Sequence, residues 1–517
     1  MSDRAPPYVV LDTSGLREDD VIAVARRGAG VALTEAAITA MRSSRDAVEA
    51  LASSDTPSYG VSTGFGALAS RHIPEALRAI LKERVIRSHA AGMGDPIEED
   101  AVRAMMLLRL KTLCSGRTGV RPIVAETYAA ILNAQITPVV PEFGSLGCSG
   151  DLAPLAHCAL TAMGEGEAFD PDGGRAPSKQ LLEAAGIAPL RLEAKEGLAL
   201  INGTDGMLGM LVLALADLRA LATAADVAAA MSVEALLGTD QAYLPEFLDA
   251  LRPHPGQAVS AANLVALLAG SGITASHREH DERVQDAYSL RCAPQVTGAL
   301  RDTIDHAAAV AGRELAAAID NPVVLADGAV RANGNFHGAP LAYVLDFLAI
   351  ATADSASIAE RRTDRLLDPA RSSGLLPFLA DDPGVDSGLM IAHYTQASMV
   401  AAMRRLAVPA SVDSIPTSAM QEDHVSMGWA AARKLRESVR CFARVIAVEA
   451  VAAARGLELR APLEPAAATR AAAEAVRGVA GGAGIDRFVA PELAAAEALI
   501  TSGAMVDAAR SVARALR

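Results

Sequence analysis

Long runs of helical spacing after Asn202 constrain the fold of this chain more than any other feature of its sequence. One such run has apolar residues four, three and seven positions apart, at Val344, Leu348, Ala351 and Ile358. This spacing keeps one face of a helix apolar over several turns. Apolar residues make up 51% of the chain but aromatic residues only 3%, so Ala, Leu and Val dominate. Ala and Leu are strong helix formers. The sequence therefore predicts an all-α fold, a bundle of long helices.

The N-terminal region is richer in loops. Thr34 is a predicted N-cap, because apolar residues follow it at helical spacing. Residues 54–66 are rich in Ser, Thr, Pro and Gly, which predicts a long mobile loop. The turn-forming residues 169–174 predict a small hairpin. We therefore expect two parts: residues 1–205, with loops among helices, and residues 206–517, which form the helical bundle and whose Ala-rich tail a run of glycines interrupts.

The charge of the chain argues against nucleic acid as a partner. The formal net charge is -14 and the isoelectric point is about 5.3, so the surface repels phosphate backbones. The sequence contains no basic cluster with interleaved aromatic residues, which is the usual mark of nucleic-acid binding. We therefore expect small molecules rather than nucleic acids as ligands.

The cysteines and the apolar runs predict a soluble, cytoplasmic protein. The five cysteines are odd in number and widely spaced, which favours reduced thiols over disulfides or a zinc site. The N-terminus lacks the apolar segment of a signal peptide. The densest apolar run, Gly206 to Ala216, is cut by Asp217 and is too short to span a bilayer. We therefore expect no association with a membrane.

The glycine-rich segment Gly144 to Gly150 has several interpretations. It is neither a Walker loop nor the GxGxxG of a dinucleotide-binding turn. The elbow of a serine hydrolase requires a glycine two residues after the serine, but Asp151 follows Ser149 there. A thiol nucleophile at Cys148 is another option, with His157 as its base. By composition alone, we favour a structural turn capped by Asp151 before a helix.

Spontaneous cyclisation of the backbone at Cys148-Ser149-Gly150 explains more of this segment. Glycine has no side chain, so its amide nitrogen can approach the carbonyl carbon of Cys148 closely. Attack by this nitrogen closes a five-membered ring and releases water. Loss of the Ser149 hydroxyl then leaves a conjugated methylene group, which is a strong electrophile. Serine supplies the hydroxyl, and the first residue contributes only its backbone, so cysteine is tolerated there.

The sequence resembles the family of aromatic amino acid ammonia-lyases and aminomutases, which carry such a self-made methylidene-imidazolone group. The resemblance extends from about Tyr59 to Gly428. Six blocks occur in the order of the family: YGVSTGFG (59–66), GSLGCSGDLAPLAH (144–157), KEGLALINGT (195–204), RVQDAYSLRCAPQ (283–295), GNFH (334–337) and SVDSIPTSAMQEDHVSM (411–427). The resemblance implies a group formed from Cys148, Ser149 and Gly150, with no external cofactor and no metal.

The residues of the substrate pocket resemble the branch of the family that acts on histidine. Ser88-His89 stands where tyrosine lyases tend to have His-Leu and phenylalanine lyases Phe-Leu, and Glu422 is an acid suited to an imidazole. The resemblance implies elimination of ammonia from L-histidine to give trans-urocanate, the first step of histidine degradation. A tyrosine ammonia-lyase or an aminomutase on the same scaffold is the alternative. A helical scaffold protein that has lost its activity is a rival from another class.

The resemblance also implies the catalytic base. The family uses a tyrosine in its N-terminal loop, which matches Tyr59 here. A phenol has an ordinary pKa of about 10, so the site must lower the pKa of this tyrosine to supply phenolate at neutral pH. The alternative is an ordinary packed aromatic residue. The glycine-rich surroundings of Tyr59 instead favour a lid that closes over the substrate.

Arg291 is the best candidate to bind the substrate carboxylate, because a guanidinium group offers a two-pronged match to it. The alternative for Arg291 is a surface or interhelical salt bridge. Tyr288 precedes Arg291 by three residues and shares its helical face. Asn202 and Gln285 are uncharged hydrogen-bonding residues, and only the resemblance places them in the site. The resemblance also places Phe336 near the ring, although core packing explains a phenylalanine equally well.

His89 is a candidate to hydrogen-bond the substrate imidazole, although a solitary histidine is more often a satisfied core residue. The charged run from His277 to Glu282 is interpreted as a solvated loop or helix end, not a metal site. The resemblance implies a homotetramer in which each active site takes residues from three chains. Asp205 and Met420 depart from residues frequent in the family, Gln and Asn respectively.

Overall fold

Helices dominate the computed structural model, which describes residues 8–53, 83–247, 251–279, 281 and 283–517. The longest helices span 31, 29 and 31 residues and follow Asn202: Asp205–Ala235, Ala339–Leu367 and Gly428–Glu458. The prediction of an all-α fold built on long helices in the second part of the chain is therefore confirmed.

The α-helices of the described residues alternate with only short strands. In chain order the helices are Glu18–Arg26, Glu35–Ala52, 83–89, Glu99–Cys114, Pro122–Asn133, Leu152–Ala162, Ser178–Ala184, Glu196–Ile201, Asp205–Ala235, Pro255–Leu268, Gly272–Ser276, Tyr288–Arg291, Ala293–Ala316, Ala339–Leu367, Met390–Leu406, Gly428–Glu458, Ala467–Ala480, Ala490–Thr501 and Ala504–Val512. The strands pair as Tyr8–Leu11 with Gly30–Leu33 in parallel, and antiparallel as Met93–Pro96 with Pro141–Phe143, Thr137–Pro138 with Glu167–Phe169, Glu167–Phe169 with Arg175–Pro177, and Val323–Val324 with Val330–Arg331.

The chain divides into two compact units, each discontinuous in sequence. The first unit comprises Met1–Leu213, Ala308–Leu345 and Pro409–Arg433. The second unit comprises Ala214–Ala307, Asp346–Val408 and Lys434–Arg517. Each unit therefore gathers segments that lie far apart in the sequence.

Local signals in the first unit fold as predicted. Thr34 is the N-cap of the helix Glu35–Ala52, and its hydroxyl oxygen accepts a hydrogen bond from the backbone N–H of Ala37 at 3.1 Å. Residues 169–174 join the antiparallel strands Glu167–Phe169 and Arg175–Pro177. The Asp170 carboxylate accepts hydrogen bonds from backbone N–H groups within this turn. Both the N-cap and the hairpin predictions are confirmed.

The core of the first unit is built around the helix Glu99–Cys114. Nearly all of its residues are buried, including Arg109. It packs against Glu18–Arg26 and Pro122–Asn133, while Leu152–Ala162 packs against Glu196–Ile201. The glycine-rich segment ends where Leu152–Ala162 begins, so that helix fixes one end of the segment.

In the second unit, three C-terminal helices pack together: Ala467–Ala480, Ala490–Thr501 and Ala504–Val512. The first of them ends at Gly481, which adopts a φ of 65°. A left-handed residue after a helix is usually glycine, because a Cβ atom is strained there. The break that the glycine run predicts is therefore confirmed.

The helix that contains the apolar run Gly206 to Ala216 is longer than that run, which corrects the expectation that this stretch is too short to span a bilayer. The helix continues through Asp217 to Ala235. The stretches Glu196–Ala235 and Ala339–Leu367 are long and apolar enough to cross a membrane by length and composition, but 78% and 61% of their most apolar windows are buried within the protein. A core helix of a globular protein passes the same test.

A buried ion pair joins two long helices of the second unit and gives a prediction about stability. Arg362 donates to Glu449, with Nη2 2.9 Å from Oε2, and both side chains are almost fully buried. We expect Glu449→Ala to lower the free energy of unfolding by about 3–5 kcal/mol, because it leaves a buried guanidinium without its counterion. Denaturant unfolding measures this change.

The matched control for Glu449→Ala is Glu167→Ala, which breaks the exposed pair with Arg175. We expect this control to cost less than about 1 kcal/mol, because solvent screens exposed pairs. Equal losses of stability in the two variants would contradict the prediction.

Candidate active site

The glycine-rich segment is held in place by two distant parts of the first unit. The carbonyl oxygen of Gly147 accepts hydrogen bonds from the backbone N–H of Gly338 at 3.0 Å and from the hydroxyl of Ser426 at 2.7 Å. The backbone N–H of Met427 donates to the carbonyl oxygen of Leu146 at 2.8 Å. These bonds fix the backbone immediately before Cys148-Ser149-Gly150.

Gly150 occupies a position where no side chain fits. Its φ is 74°, and a Cβ atom there would lie 2.2 Å from the carbonyl oxygen of Gly203. That carbonyl oxygen also accepts a hydrogen bond from the backbone N–H of Asp151 at 2.7 Å. Gly150 and the backbone that follows it are thus held against Gly203. This arrangement fits a ring closure that requires glycine as its third residue.

Asp151 does not cap the helix that follows it, which corrects the prediction of a turn capped by Asp151. Asp151 is the N-cap residue of Leu152–Ala162, but its side chain does not bond to that helix. Its Oδ2 instead accepts hydrogen bonds from the N–H groups of Gly206 and Met207, at 2.9 and 3.0 Å. Asp151 therefore caps the helix Asp205–Ala235. Burial raises the pKa of Asp151 to about 7.

Cys148 lacks the surroundings of a reactive thiol. Burial raises the pKa of its thiol, which disfavours the thiolate form. His157 does not serve as its base, because the ring nitrogen Nε2 accepts a hydrogen bond from the backbone N–H of Gly92 at 3.2 Å. Burial also lowers the pKa of His157, so the imidazole is neutral. The geometry therefore does not support a thiol hydrolase.

His89 presents one ring nitrogen to its surroundings. It lies in the helical segment 83–89, and its Nδ1 is 2.8 Å from the carbonyl oxygen of Val85. Nδ1 therefore carries the proton and donates, which leaves Nε2 as an acceptor. Burial lowers the pKa of His89, and the nearby charge of Glu422 opposes this effect. His89 and Glu422 therefore lie close enough to interact electrostatically.

Two predicted site residues of the first unit, and one residue that was not predicted, have buried polar atoms without a partner. Among the described residues, Asn202 Oδ1 and Glu422 Oε2 accept no hydrogen bond, and neither does Nε2 of His337, whose ring stacks on that of His424 at a centroid distance of 5.5 Å. A buried polar atom without a partner costs about 1–3 kcal/mol. Such atoms close to a reactive segment are typical of a site that awaits a ligand. Phe336, next to His337, is half-buried.

The second unit places three predicted substrate-binding residues on one short segment. Arg291 and Tyr288 lie in the helix Tyr288–Arg291, with the guanidinium carbon 4.7 Å from the centre of the tyrosine ring. Within the described part of the chain, Arg291 forms no ion pair, and its Nε is buried without a partner. Tyr288 is 71% exposed, and Gln285 is exposed as well. The guanidinium is therefore available to bind a carboxylate.

Some predicted residues lie outside the described residues: Tyr59 and the rest of the block 59–66, and two members of the charged run, His280 and Glu282. Among the residues that are described, no group of three metal-ligating side chains occurs.

The sequence analysis did not identify three residues that contact the reactive segment, namely Gly203, Gly338 and Ser426. All three lie within or next to the six family blocks, and this position was the only indication in the sequence that they belong to the site. Sequence reasoning also missed the role of Asp205, which forms a buried ion pair with Arg109. The departure at Met420 falls on an exposed residue with a φ of 70°, a conformation in which asparagine is more common than methionine.

Comparisons with known proteins agree with this geometry. The sequence profile described as "Aromatic amino acid lyase" matches residues 16–478. A histidine ammonia-lyase from Streptomyces coelicolor is 65% identical over 511 residues, which cover 98% of this chain and 99% of that protein. A solved structure of a tyrosine aminomutase from Streptomyces globisporus is similar with a TM-score of 0.92 and 37% identity, and the match covers 98% of both chains. A solved structure of a histidine ammonia-lyase from Trypanosoma cruzi is similar with a TM-score of 0.89 and 36% identity, and the match covers 98% of this chain and 97% of that chain.

The long helices, the clamped Cys148-Ser149-Gly150 segment and the extent of the profile match define the class of this protein. The chain belongs to the aromatic amino acid lyase family. The relative most similar in sequence among those named above is a histidine ammonia-lyase, whereas the tyrosine aminomutase is similar at much lower identity.

Proposed function

We propose that the protein eliminates ammonia from L-histidine to give trans-urocanate, the first step of histidine degradation. One observation carries this proposal: Cys148-Ser149-Gly150 is clamped so that Gly150 lies against Gly203 with no space for a side chain. The high identity to a histidine ammonia-lyase over nearly the whole chain supports histidine as the substrate.

We propose that Cys148, Ser149 and Gly150 form a methylidene-imidazolone group, with no external cofactor and no metal. The group supplies an electrophilic carbon that makes the substrate amine a better leaving group. The hydrogen bonds to Leu146 and Gly147 hold the segment that precedes the group. Burial of Gly150 limits the access of water to it.

The carboxylate group and the β-proton of the substrate are assigned to particular residues. Arg291 binds the carboxylate through two N–H groups, and Tyr288 packs beside the guanidinium and orients it. Asn202 and Gln285 add hydrogen bonds without adding charge. Tyr59 removes the β-proton as phenolate. These roles rest on the family motifs together with the unpartnered atoms of Asn202 and Arg291.

Specificity depends on the residues that bind the side chain of the substrate. Since Nδ1 of His89 is committed to Val85, Nε2 accepts a hydrogen bond from an N–H group of the substrate imidazole. Glu422 has an unpartnered carboxylate oxygen that accepts from a second N–H group or stabilises positive charge. A phenylalanine side chain has no donor for either acceptor. His89 and Glu422 therefore favour histidine.

We further propose a soluble, cytoplasmic homotetramer in which each active site takes residues from three chains. Tyr288 and Gln285, both assigned to the substrate, are exposed in the single chain, and Val284 beside them is fully exposed. In the proposed tetramer, a neighbouring chain covers these exposed side chains and completes the site. All five cysteines are free, as expected in a reducing compartment.

Product analysis of the purified protein tests the proposed function. With L-histidine, we expect ultraviolet absorbance of urocanate to appear together with free ammonia. With L-tyrosine, coumarate or a β-amino acid would instead indicate the alternative, a tyrosine ammonia-lyase or aminomutase. The similarity to a tyrosine aminomutase structure makes tyrosine the appropriate competing substrate.

Cys148→Ala separates the lyase from a thiol hydrolase. Because Cys148 contributes only backbone atoms to the ring, we expect the variant to retain lyase activity and to be two waters lighter than its sequence mass. A thiol nucleophile would lose its activity with the sulfur atom. Urocanate formation and intact mass measure the two outcomes, and loss of activity with an intact ring would contradict the assignment.

A further inference from the structure

Gly203, against which Gly150 packs, also lies against a guanidinium group that the proposed mechanism does not use. Arg109 is fully buried and uses all three nitrogens. Its Nε and Nη2 donate to Asp205 Oδ2 at 3.0 and 2.6 Å. Its Nη1 donates to the carbonyl oxygens of Ala199 and Asn202, at 2.9 and 3.2 Å, and Nη2 donates to that of Ile319 at 3.1 Å. Arg109 thus binds backbone carbonyl groups that precede Gly203 and the side chain of Asp205, which follows it.

Gly203 packs against this guanidinium and against the reactive segment. A Cβ atom on Gly203 would lie 1.8 Å from Nη2 of Arg109. The carbonyl oxygen of the same residue would lie 2.2 Å from a Cβ atom on Gly150. Gly203 therefore contacts both Arg109 and Gly150 and connects the guanidinium to the reactive segment.

Asp205 connects the same cluster to the other side of the segment. It is the first residue of the helix Asp205–Ala235, and the next two N–H groups of that helix bind the Asp151 carboxylate. Asp151 follows Gly150 directly. The pair of Arg109 and Asp205 therefore fixes both the carbonyl that Gly150 packs against and the helix end that holds the next residue.

We propose that Arg109 and Asp205 form a positioning pair for ring closure, which holds the carbonyl group of Gly203 so that the Gly150 amide nitrogen faces the Cys148 carbonyl carbon. This inference rests on the proposed function. Neither residue touches the substrate. Their contribution is to the maturation of the protein, not to turnover.

The closure balances without a further reactant. A bond forms between the nitrogen of Gly150 and the carbonyl carbon of Cys148. The oxygen of that carbonyl leaves as water with the amide protons of Gly150 and Ser149. The Ser149 hydroxyl then leaves as a second water with the Cα proton. No electrons are gained or lost overall, so positioning is what the protein must provide.

Arg109→Lys tests the pair, because lysine keeps the charge but loses the forked set of donors. We expect folded Arg109→Lys protein to consist mainly of chains with the full sequence mass, and only a minor fraction two waters lighter. The kcat per total chain should fall in proportion to that fraction. The KM for histidine should stay unchanged, since each matured site is normal.

Arg362→Lys is the matched control. Arg362 is equally buried and forms a forked ion pair with Glu449, but it belongs to the second unit, whereas the reactive segment belongs to the first. We expect it to lose stability while every folded chain is two waters lighter. Similar loss of the ring in both variants would overturn the proposal, because loss of stability alone would then explain it.

Asp205→Asn decides the matter where Arg109→Lys fails to fold. It keeps the size of the side chain but removes its charge, and we expect a partial loss of the two-water mass shift. Full maturation of Asp205→Asn would overturn the proposal. If the wild-type protein itself had its full sequence mass, the proposed function would be overturned instead. The two failures are therefore distinguishable.

Discussion

Ser149→Ala is expected to abolish elimination of ammonia from histidine while leaving the fold intact. Without the hydroxyl, no methylidene carbon is generated, and the amine of the substrate remains a poor leaving group. We expect kcat/KM to fall by roughly three orders of magnitude or more, the scale of losing an essential covalent group. The Ser149 side chain is only half-buried, so removal of one oxygen costs little stability.

Three measurements on Ser149→Ala separate a chemical from a structural effect. Urocanate formation should be lost, and the intact mass should no longer lie two waters below the sequence mass. The thermal unfolding midpoint should stay close to that of the wild-type protein. Ser398→Ala on an exposed helix surface is the control for the change of residue type. Residual activity near the normal level in Ser149→Ala would rule out the proposed electrophile.

Features governed by neighbouring residues could be predicted from the sequence. Thr34 caps its helix because a hydroxyl group before a helical run accepts a backbone N–H group three residues on. Gly481 ends a helix because glycine tolerates a positive φ. The reactive tripeptide was identified by chemistry and motif, since serine and glycine have distinct tasks in adjacent positions.

Features governed by contacts between distant segments could not be predicted. The sequence suggests that Asp151 caps its own helix, but the carboxylate binds amide groups that lie 55 and 56 residues further on. Arg109 and Asp205 meet across 96 residues. Helical periodicity determines which face of a helix is apolar, but it does not determine which helix end faces a given loop. Those choices follow from packing of the whole unit.

The role of Gly203 depends on both its sequence motif and its contacts with distant segments. The block KEGLALINGT indicates that residues 195–204 are important, but the sequence does not show which residues contact Gly203 in the fold. In the structure, the Arg109 guanidinium leaves no room for a Cβ atom on Gly203, and the backbone of Gly203 leaves no room for a Cβ atom on Gly150. The reactive segment therefore depends on two glycines that are 53 residues apart.

Gly150→Ala is expected to prevent ring formation and to eliminate activity. The added methyl group would lie 2.2 Å from the Gly203 carbonyl oxygen, which is backbone and is held by the N–H of Asp151. The backbone must therefore move, and the amide nitrogen of residue 150 moves with it. The φ of 74° adds strain of about 1–2 kcal/mol for a residue with a Cβ atom. Intact mass, urocanate formation and unfolding measure the three effects.

Gly173→Ala is the control for the loss of stability that a positive φ causes. Gly173 has a φ of 81°, similar to that of Gly150, but a Cβ atom there meets no atom within 4 Å. We expect this control to lose about 1–2 kcal/mol of stability while it retains full activity and the two-water mass loss. If Gly150→Ala also matured fully, close approach to Gly203 would not be what brings the nitrogen to the carbonyl carbon. Loss of the ring only in Gly150→Ala would show that the loss of stability common to both variants does not prevent closure, and that the position of Gly150 against Gly203 is required.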